Sequence, residues 1–180
     1  DQEFLHEICS GIEEEGLLYE IHERDMDTLE DMVVKSCTYK KLVVEKDPTE
    51  KGERAILNFG HTIGHAIEKA KNFELLHGEC VALGCVAAAF ISWKRELLSM
   101  EEYYEIRDMF VPFNLPITID DIDPNEILRL IASDKKVEGD KIKFILLKKV
   151  GKAIIDTSVT KDEIMSGIQE IYFSEEDEHE

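Results

Sequence analysis

Arg54, Asn58, His61 and His65 follow one another at steps of four, three and four, and His77 follows in Leu75-Leu76-His77-Gly78-Glu79. On a helix those steps put the first four on one face. A cation, an amide and two imidazoles on one stripe are costly to bury without partners, so the stripe points to chemistry rather than packing. Histidines at i and i+4 can bind one ion, as in HExxH. Here Thr62 stands where that motif has glutamate, and Gly64 lies within it, which argues against peptidase chemistry. A short antiparallel return brings His77 beside His61. Spacing alone leaves ligation and a structural role both open for the trio His61, His65 and His77. Glu68 and Glu79 are possible carboxylate ligands. His6, His22 and His179 lie in acidic or terminal stretches and are not candidates.

The anion-binding candidates are paired lysines in an acidic chain, Lys40-Lys41 and Lys135-Lys136 after Asp134. Lysine offers a point charge, and Arg54 a bidentate fork, to carboxylate or phosphate. The alternative for each lysine pair is ordinary exposure. Glu50, four residues before Arg54, can pair with it or orient a proton-shuttling histidine.

These residues need positioning elements. Apolar periodicity predicts helices over 1–18, over Thr28–Val44 and over about Glu53–Lys71. Gly60 and Gly64 each cost a helix roughly 1 kcal/mol relative to alanine, so they predict close approach of another backbone or a ligand. Gly78–Leu98 is apolar nearly all round and belongs at the centre. Ser99-Met100-Glu101-Glu102 is a capping box for a helix over Met100–Phe110. Asp123-Pro124-Asn125-Glu126 caps another that carries Ile127, Leu128, Leu130 and Ile131. Lys141–Leu147 and Lys152–Thr157 pattern as a small hairpin, and Asp162–Tyr172 returns to helix. The expectation is a mainly α domain over residues 1–173 with a minor β element, and an acidic, frayed tail over 174–180.

The 180 residues are 43% hydrophobic, enough for one core. A formal charge of -19 disfavours nucleic acid and anionic membrane surfaces as partners. Cys9, Cys37, Cys80 and Cys85 form no CxxC pair. Cys80 and Cys85 lie in an apolar run and read as buried thiols, as in a reducing compartment. No signal peptide or membrane span is visible, so a cytoplasmic protein is expected. The chain opens at Asp1 without methionine and already in a helical pattern, as a domain cut from a longer protein would.

Glu50 to Glu68, reading Glu50-Lys51-Gly52-Glu53-Arg54-Ala55-Ile56-Leu57-Asn58-Phe59-Gly60-His61-Thr62-Ile63-Gly64-His65-Ala66-Ile67-Glu68, resembles the signature of the 3-dehydroquinate synthase family of sugar-phosphate cyclases. His77-Gly78-Glu79-Cys80-Val81-Ala82-Leu83-Gly84 resembles its second signature, and the lysine before Val43-Val44, the Asp134-Lys135-Lys136 turn and Lys141–Gly151 also fit. The resemblance covers nearly the whole chain and implies the multi-helical C-terminal domain of a two-domain enzyme. No glycine-rich dinucleotide fingerprint occurs here, so NAD would be held mainly by an N-terminal domain. By that resemblance His61 and His77 are ligands to Zn²⁺ or Co²⁺, with a glutamate ahead of Asp1 as the third. His65 is then the proton-transfer residue and Glu50 its carboxylate partner. Lys40, Arg54, Asn58 and one of Lys135 and Lys136 contact substrate. The implied reaction converts 3-deoxy-arabino-heptulosonate 7-phosphate to 3-dehydroquinate and phosphate with NAD recycled, in a homodimer. Two alternatives are a related cyclase acting on another sugar phosphate and a non-catalytic helical metal-binding or structural domain.

Overall fold

The computed structural model describes residues 21, 23–49, 52–134 and 142–173. The helix expected over 1–18, Glu50, the pair Lys135-Lys136 and the tail 174–180 lie outside the described residues, as do His6, His22 and His179. The chain divides into two units, Asp1–Leu57 and Asn58–Glu180.

In the first unit, helix α1 runs Met26–Lys46, two residues beyond each end of the expected Thr28–Val44. Asp25 caps it, its Oδ1 accepting the Thr28 N–H at 2.9 Å. At its far end Asp47 folds back, and its Oδ2 accepts the backbone N–H groups of Gly52 (2.7 Å) and Arg54 (3.1 Å).

The helix expected from Glu53 to Lys71 is two elements. Glu53–Asn58 is a 3₁₀ helix, and α2 begins only at His61, running to Ala70. Gly60 separates them at φ 78°, a left-handed conformation that ends one helical run and opens the next. The single four-residue stripe therefore does not form. Arg54 and Asn58 belong to the 3₁₀ turn, and His61 and His65 to α2.

The second unit is built around α3, His77–Lys94, whose residues from Ala82 to Ser92 are all buried. Packed on it are α2, α4 (Met100–Asp108), α6 (Lys161–Ile171) and strand β1 (Phe144–Lys149). Helix α5, Pro124–Asp134, closes the layer against α2 and α6. The expected hairpin is present: β1 pairs antiparallel with β2, Lys152–Asp156, with an irregularity between Leu147 and Lys149. Buried Ser92 ties hairpin to helix. Its hydroxyl donates to the Ala88 carbonyl at 2.8 Å and accepts the Leu147 N–H at 3.0 Å. The capping box at Ser99 and Glu102 forms as the sequence indicates, with both reciprocal bonds present. Among the described residues no helix is long and apolar enough to cross a membrane.

Glycines set the α2–α3 spacing. A Cβ on Gly60 would sit 2.6 Å from the Cys85 Sγ and 2.8 Å from the Val81 carbonyl oxygen, and one on Gly64 2.8 Å from the Cys80 carbonyl oxygen. Partners fall from 85 to 80 as the glycines rise from 60 to 64, so the helices run antiparallel in direct backbone contact. This fulfils the close approach that Gly60 and Gly64 predicted.

Arg95, just past α3, clamps the far end of the unit. Its Nε and Nη2 donate to the two oxygens of Glu163 at 2.6 and 2.8 Å, and its Nη1 donates to Asp156 at 3.0 Å. The Arg95 hydrogen bonds, foremost, lower the Glu163 pKa from 4.5 to about 2. A carboxylate so depressed contributes stability fully above its ordinary pKa, and that stability is lost as pH falls through the folded-state value. Arg95→Ala should therefore cost roughly 2 kcal/mol at neutral pH. It should also flatten the fall in stability between pH 4.5 and about 2. Urea denaturation across that range checks both, and an unchanged acid limb in the variant would remove Arg95 as its cause.

Candidate metal and proton-transfer site

Chain reversal at residues 71–76 returns α3 along α2, and the glycine contact fixes its height. The first residue of α3, His77, thereby meets the α2 face bearing His61, His65 and Glu68, which stand at i, i+4 and i+7. The three imidazoles form a nearly equilateral triangle. Ring centroids are 5.4 Å apart for His61–His65, 5.6 Å for His61–His77 and 5.4 Å for His65–His77.

Each ring is held through Nδ1. The His61 Nδ1–H donates to the Phe59 carbonyl at 3.0 Å. The His65 Nδ1 lies 3.2 Å from Glu68 Oε2, and the His77 Nδ1 3.3 Å from Glu68 Oε1. A carbonyl or an ionised carboxylate only accepts, so all three protons sit on Nδ1 in the neutral rings. That leaves three Nε2 lone pairs for a cation or a substrate proton. The His65 and His77 side chains are 45% and 54% exposed, whereas Glu68 between them is 17% exposed. Hydrogen bonding from His65, the largest effect, holds the Glu68 carboxyl below its ordinary range, with burial opposing.

Nearby groups support the rings without competing for a metal. Burial pushes the Cys85 thiol up to about 12, so it stays protonated and donates a long 3.7 Å bond to the Phe59 carbonyl that also receives His61. Cys80 is likewise raised by burial. The two thiols are buried, as their apolar run predicted, and are poor ligands when protonated. Glu79, a carboxylate candidate from sequence, is a cap instead: its Oε2 accepts the Leu76 N–H at 2.8 Å.

Of the remaining candidates, Lys40 and Arg54 belong to the first unit and Asn58 to the second. Lys40 is exposed on α1, and its neighbour Lys41 has Nζ 3.7 Å from Glu45. The Arg54 Nη1 donates to the Pro48 carbonyl at 3.1 Å. Asn58 ends the 3₁₀ helix. Glu50, Lys135 and Lys136 are outside the described residues. Sequence reasoning weighed Glu68 only as a possible ligand and missed its position between two rings. The signal was present, since Glu68 continues the His61, His65 face by three residues.

The imidazole donors suit a divalent cation of borderline softness such as Zn²⁺ or Co²⁺. His65, Glu68 and His77 alone offer donor atoms within 4.8 Å of one another among the described residues.

The fold is that of the helical half of sugar-phosphate cyclases. A structure of 2-deoxy-scyllo-inosose synthase complexed with carbaglucose-6-phosphate, NAD⁺ and Co²⁺ matches with TM-score 0.64 and 29% identity, covering 74% of this chain and 39% of that one. The model of the 3-dehydroquinate synthase C-terminal family matches residues 1–137, and the chain belongs to that family. It is 42% identical over 137 residues to the 3-dehydroquinate synthase of Nitrosospira multiformis, covering 76% of this chain and 37% of that protein. With the enzyme of the same name from Acetivibrio thermocellus it shares 37% over 168 residues, covering 93% of this chain and 45% of that one. The chain thus spans less than half the length of these curated relatives. In fold alone it also matches 2-epi-5-epi-valiolone synthase from Streptomyces hygroscopicus subsp. jinggangensis 5008, solved with NAD⁺ and Zn²⁺. The TM-score there is 0.78 at 21% identity, over 92% of this chain and 46% of that one.

Proposed function

We propose that this chain is the metal- and substrate-binding part of a cytoplasmic, homodimeric 3-dehydroquinate synthase. The enzyme converts 3-deoxy-arabino-heptulosonate 7-phosphate to 3-dehydroquinate and phosphate, and an N-terminal domain of the same protein supplies most of the NAD site. The observation that carries the reading is the histidine triangle, in which every Nδ1 meets an oxygen acceptor and no Nε2 has a partner among the described residues.

In this reading His61 and His77 hold Zn²⁺ or Co²⁺ through Nε2. When bound, the cation supplies Lewis acidity toward a substrate alcohol and NAD supplies reversible hydride transfer. His65 stands 5.4 Å, centroid to centroid, from each of the other rings, close enough to exchange a proton through its Nε2 with a substrate held there. Glu50 is its carboxylate partner. Lys40, Arg54 and a lysine at 135 or 136 neutralise the substrate carboxylate and phosphate, which a chain of formal charge -19 would otherwise repel. Asn58 supplies an amide to the substrate hydroxyls. A second reading, a sister cyclase acting on another sugar phosphate, is favoured by the likeness to 2-deoxy-scyllo-inosose synthase. It keeps the histidines and changes the contacts to the carboxylate.

The test is phosphate release from 3-deoxy-arabino-heptulosonate 7-phosphate with NAD and Zn²⁺. The 180-residue chain alone should release none, and the full-length protein containing it should turn over. A folded, metal-loaded full-length protein that leaves this substrate intact would overturn the assignment.

A further inference from the structure

We propose that Glu68 is the positioning residue of the site, its two carboxylate oxygens separately holding the Nδ1 protons of His65 and His77 so that both rings present Nε2. The inference deepens the proposed function and rests on its roles for His65 and His77.

The geometry divides the carboxylate between the rings. Oε2 serves His65 at 3.2 Å, three residues back on the same helix. Oε1 serves His77 at 3.3 Å, on the facing helix. Glu68 is the more enclosed of the three, 17% exposed against 45% and 54% for the rings it joins. Its oxygens meet the Nδ1 edge of each ring, not Nε2. An ionised carboxylate offers only acceptors, which makes it the side chain able to accept a hydrogen bond from both rings at once.

One residue therefore orients two rings with different tasks. His77 must offer an Nε2 lone pair to a cation, and His65 must offer one to a substrate proton. A shared carboxylate ties the two orientations together across the α2–α3 contact. His61 is served independently by the Phe59 carbonyl, so it should not respond to changes at Glu68. His65, Glu68 and His77 also form a set of donor atoms within 4.8 Å, and direct ligation by Glu68 is the competing arrangement. Each oxygen lies at hydrogen-bond distance from one Nδ1, the arrangement of an orienting carboxylate; because each oxygen keeps a second lone pair, the size of the Zn²⁺ loss on substitution separates orientation from ligation.

Glu68→Gln separates the possibilities because it keeps the shape and replaces one acceptor with a donor. An amide NH₂ facing Nδ1 forces that ring to move its proton to Nε2. The experiment uses the full-length protein with ¹⁵N-labelled histidine at about pH 8, where unperturbed imidazoles are neutral. Long-range ¹H–¹⁵N correlation reads the tautomers without metal, and a chelator competition reads Zn²⁺ affinity. The unmodified protein should show Nδ1–H at His61, His65 and His77. Glu68→Gln should switch either His65 or His77 to Nε2–H, leave His61 unchanged and weaken Zn²⁺ roughly 10- to 100-fold, the range for loss of an orienting partner. An Nε2–H tautomer at His65 or His77 in the unmodified protein overturns the proposal whether or not the variant folds. So does a variant with unchanged tautomers, and so does a loss of Zn²⁺ affinity beyond about 1,000-fold, which marks Glu68 as a ligand. If the unmodified protein binds no Zn²⁺ through His61 and His77, the proposed function fails, while the tautomers still decide the role of Glu68.

Discussion

Gly84→Ala should cost about 3–5 kcal/mol, near the top of the range for a single substitution. A Cβ at Gly84 would overlap the Gly60 carbonyl oxygen and lie 2.8 Å from both the Gly60 carbonyl carbon and the Gly64 nitrogen. Those atoms are backbone and cannot rotate away as a side-chain tip would. Gly60 cannot relax either, since it is held at φ 78° between the 3₁₀ turn and α2. Relief requires α2 and α3 to separate, which opens the layer formed by Ile63, Ile67, Leu83 and Ala87, each fully buried. Gly78→Ala is the internal control. It lies in the same helix, and a Cβ there would meet nothing within 4 Å, so alanine should stabilise by about 0.5–1 kcal/mol. Equilibrium denaturation of the two variants beside the parent gives the comparison. A Gly84→Ala variant within about 1 kcal/mol of the parent would mean that the helices tolerate a wider spacing than the backbone contact implies. The same separation would draw His77 away from His61 and His65, so metal affinity should fall with stability.

The elements that bury one continuous face were legible in the sequence because burial writes itself into composition. Helix α3 was marked by its run from Val81 to Ile91, the α4 cap by Ser99 and Glu102, and the hairpin by alternation over Lys141–Leu147 and the short β-branched run Lys152–Thr157. The α2 boundary was not legible. Arg54, Asn58, His61 and His65 keep a helical period through a residue at φ 78°, and periodicity carries no information about the sign of φ. What bends the chain there is tertiary: Gly60 must lie against Val81 and Cys85, which are distant in sequence. The histidine triangle was legible in outline: His61 and His65 follow from spacing and His77 from the short return, while the close α2–α3 approach that sets its height depends on Gly60, Gly64 and Gly84. Glu68 and Glu79 were indistinguishable as carboxylates beside histidines. One meets two rings and the other its own helix terminus, a difference set by which side of each helix faces the partner.

Changing the three histidines one at a time should divide them into two classes. In the full-length protein His61→Ala and His77→Ala should each lower Zn²⁺ affinity by more than the roughly 100-fold that accompanies loss of an orienting partner, and phosphate release should disappear with the metal. His65→Asn should keep the metal, because the two rings proposed as ligands retain their own acceptors: the Phe59 carbonyl for His61 and the Glu68 Oε1 for His77. Its loss should fall on kcat, by about 10²- to 10⁴-fold, the usual contribution of a positioned general acid or base, with a smaller change in KM. Metal content by mass spectrometry and steady-state phosphate release on the same preparations read both quantities. The triangle is nearly symmetric, with sides of 5.4, 5.6 and 5.4 Å, so distance alone does not assign the roles. Should His65→Asn lose Zn²⁺ as fully as His77→Ala, all three rings would be ligands and the proton-transfer role would pass from His65 to another group. Retention of metal with loss of turnover instead makes one imidazole the proton carrier beside a two-histidine metal site, a division that a shared Glu68 carboxylate would hold in register.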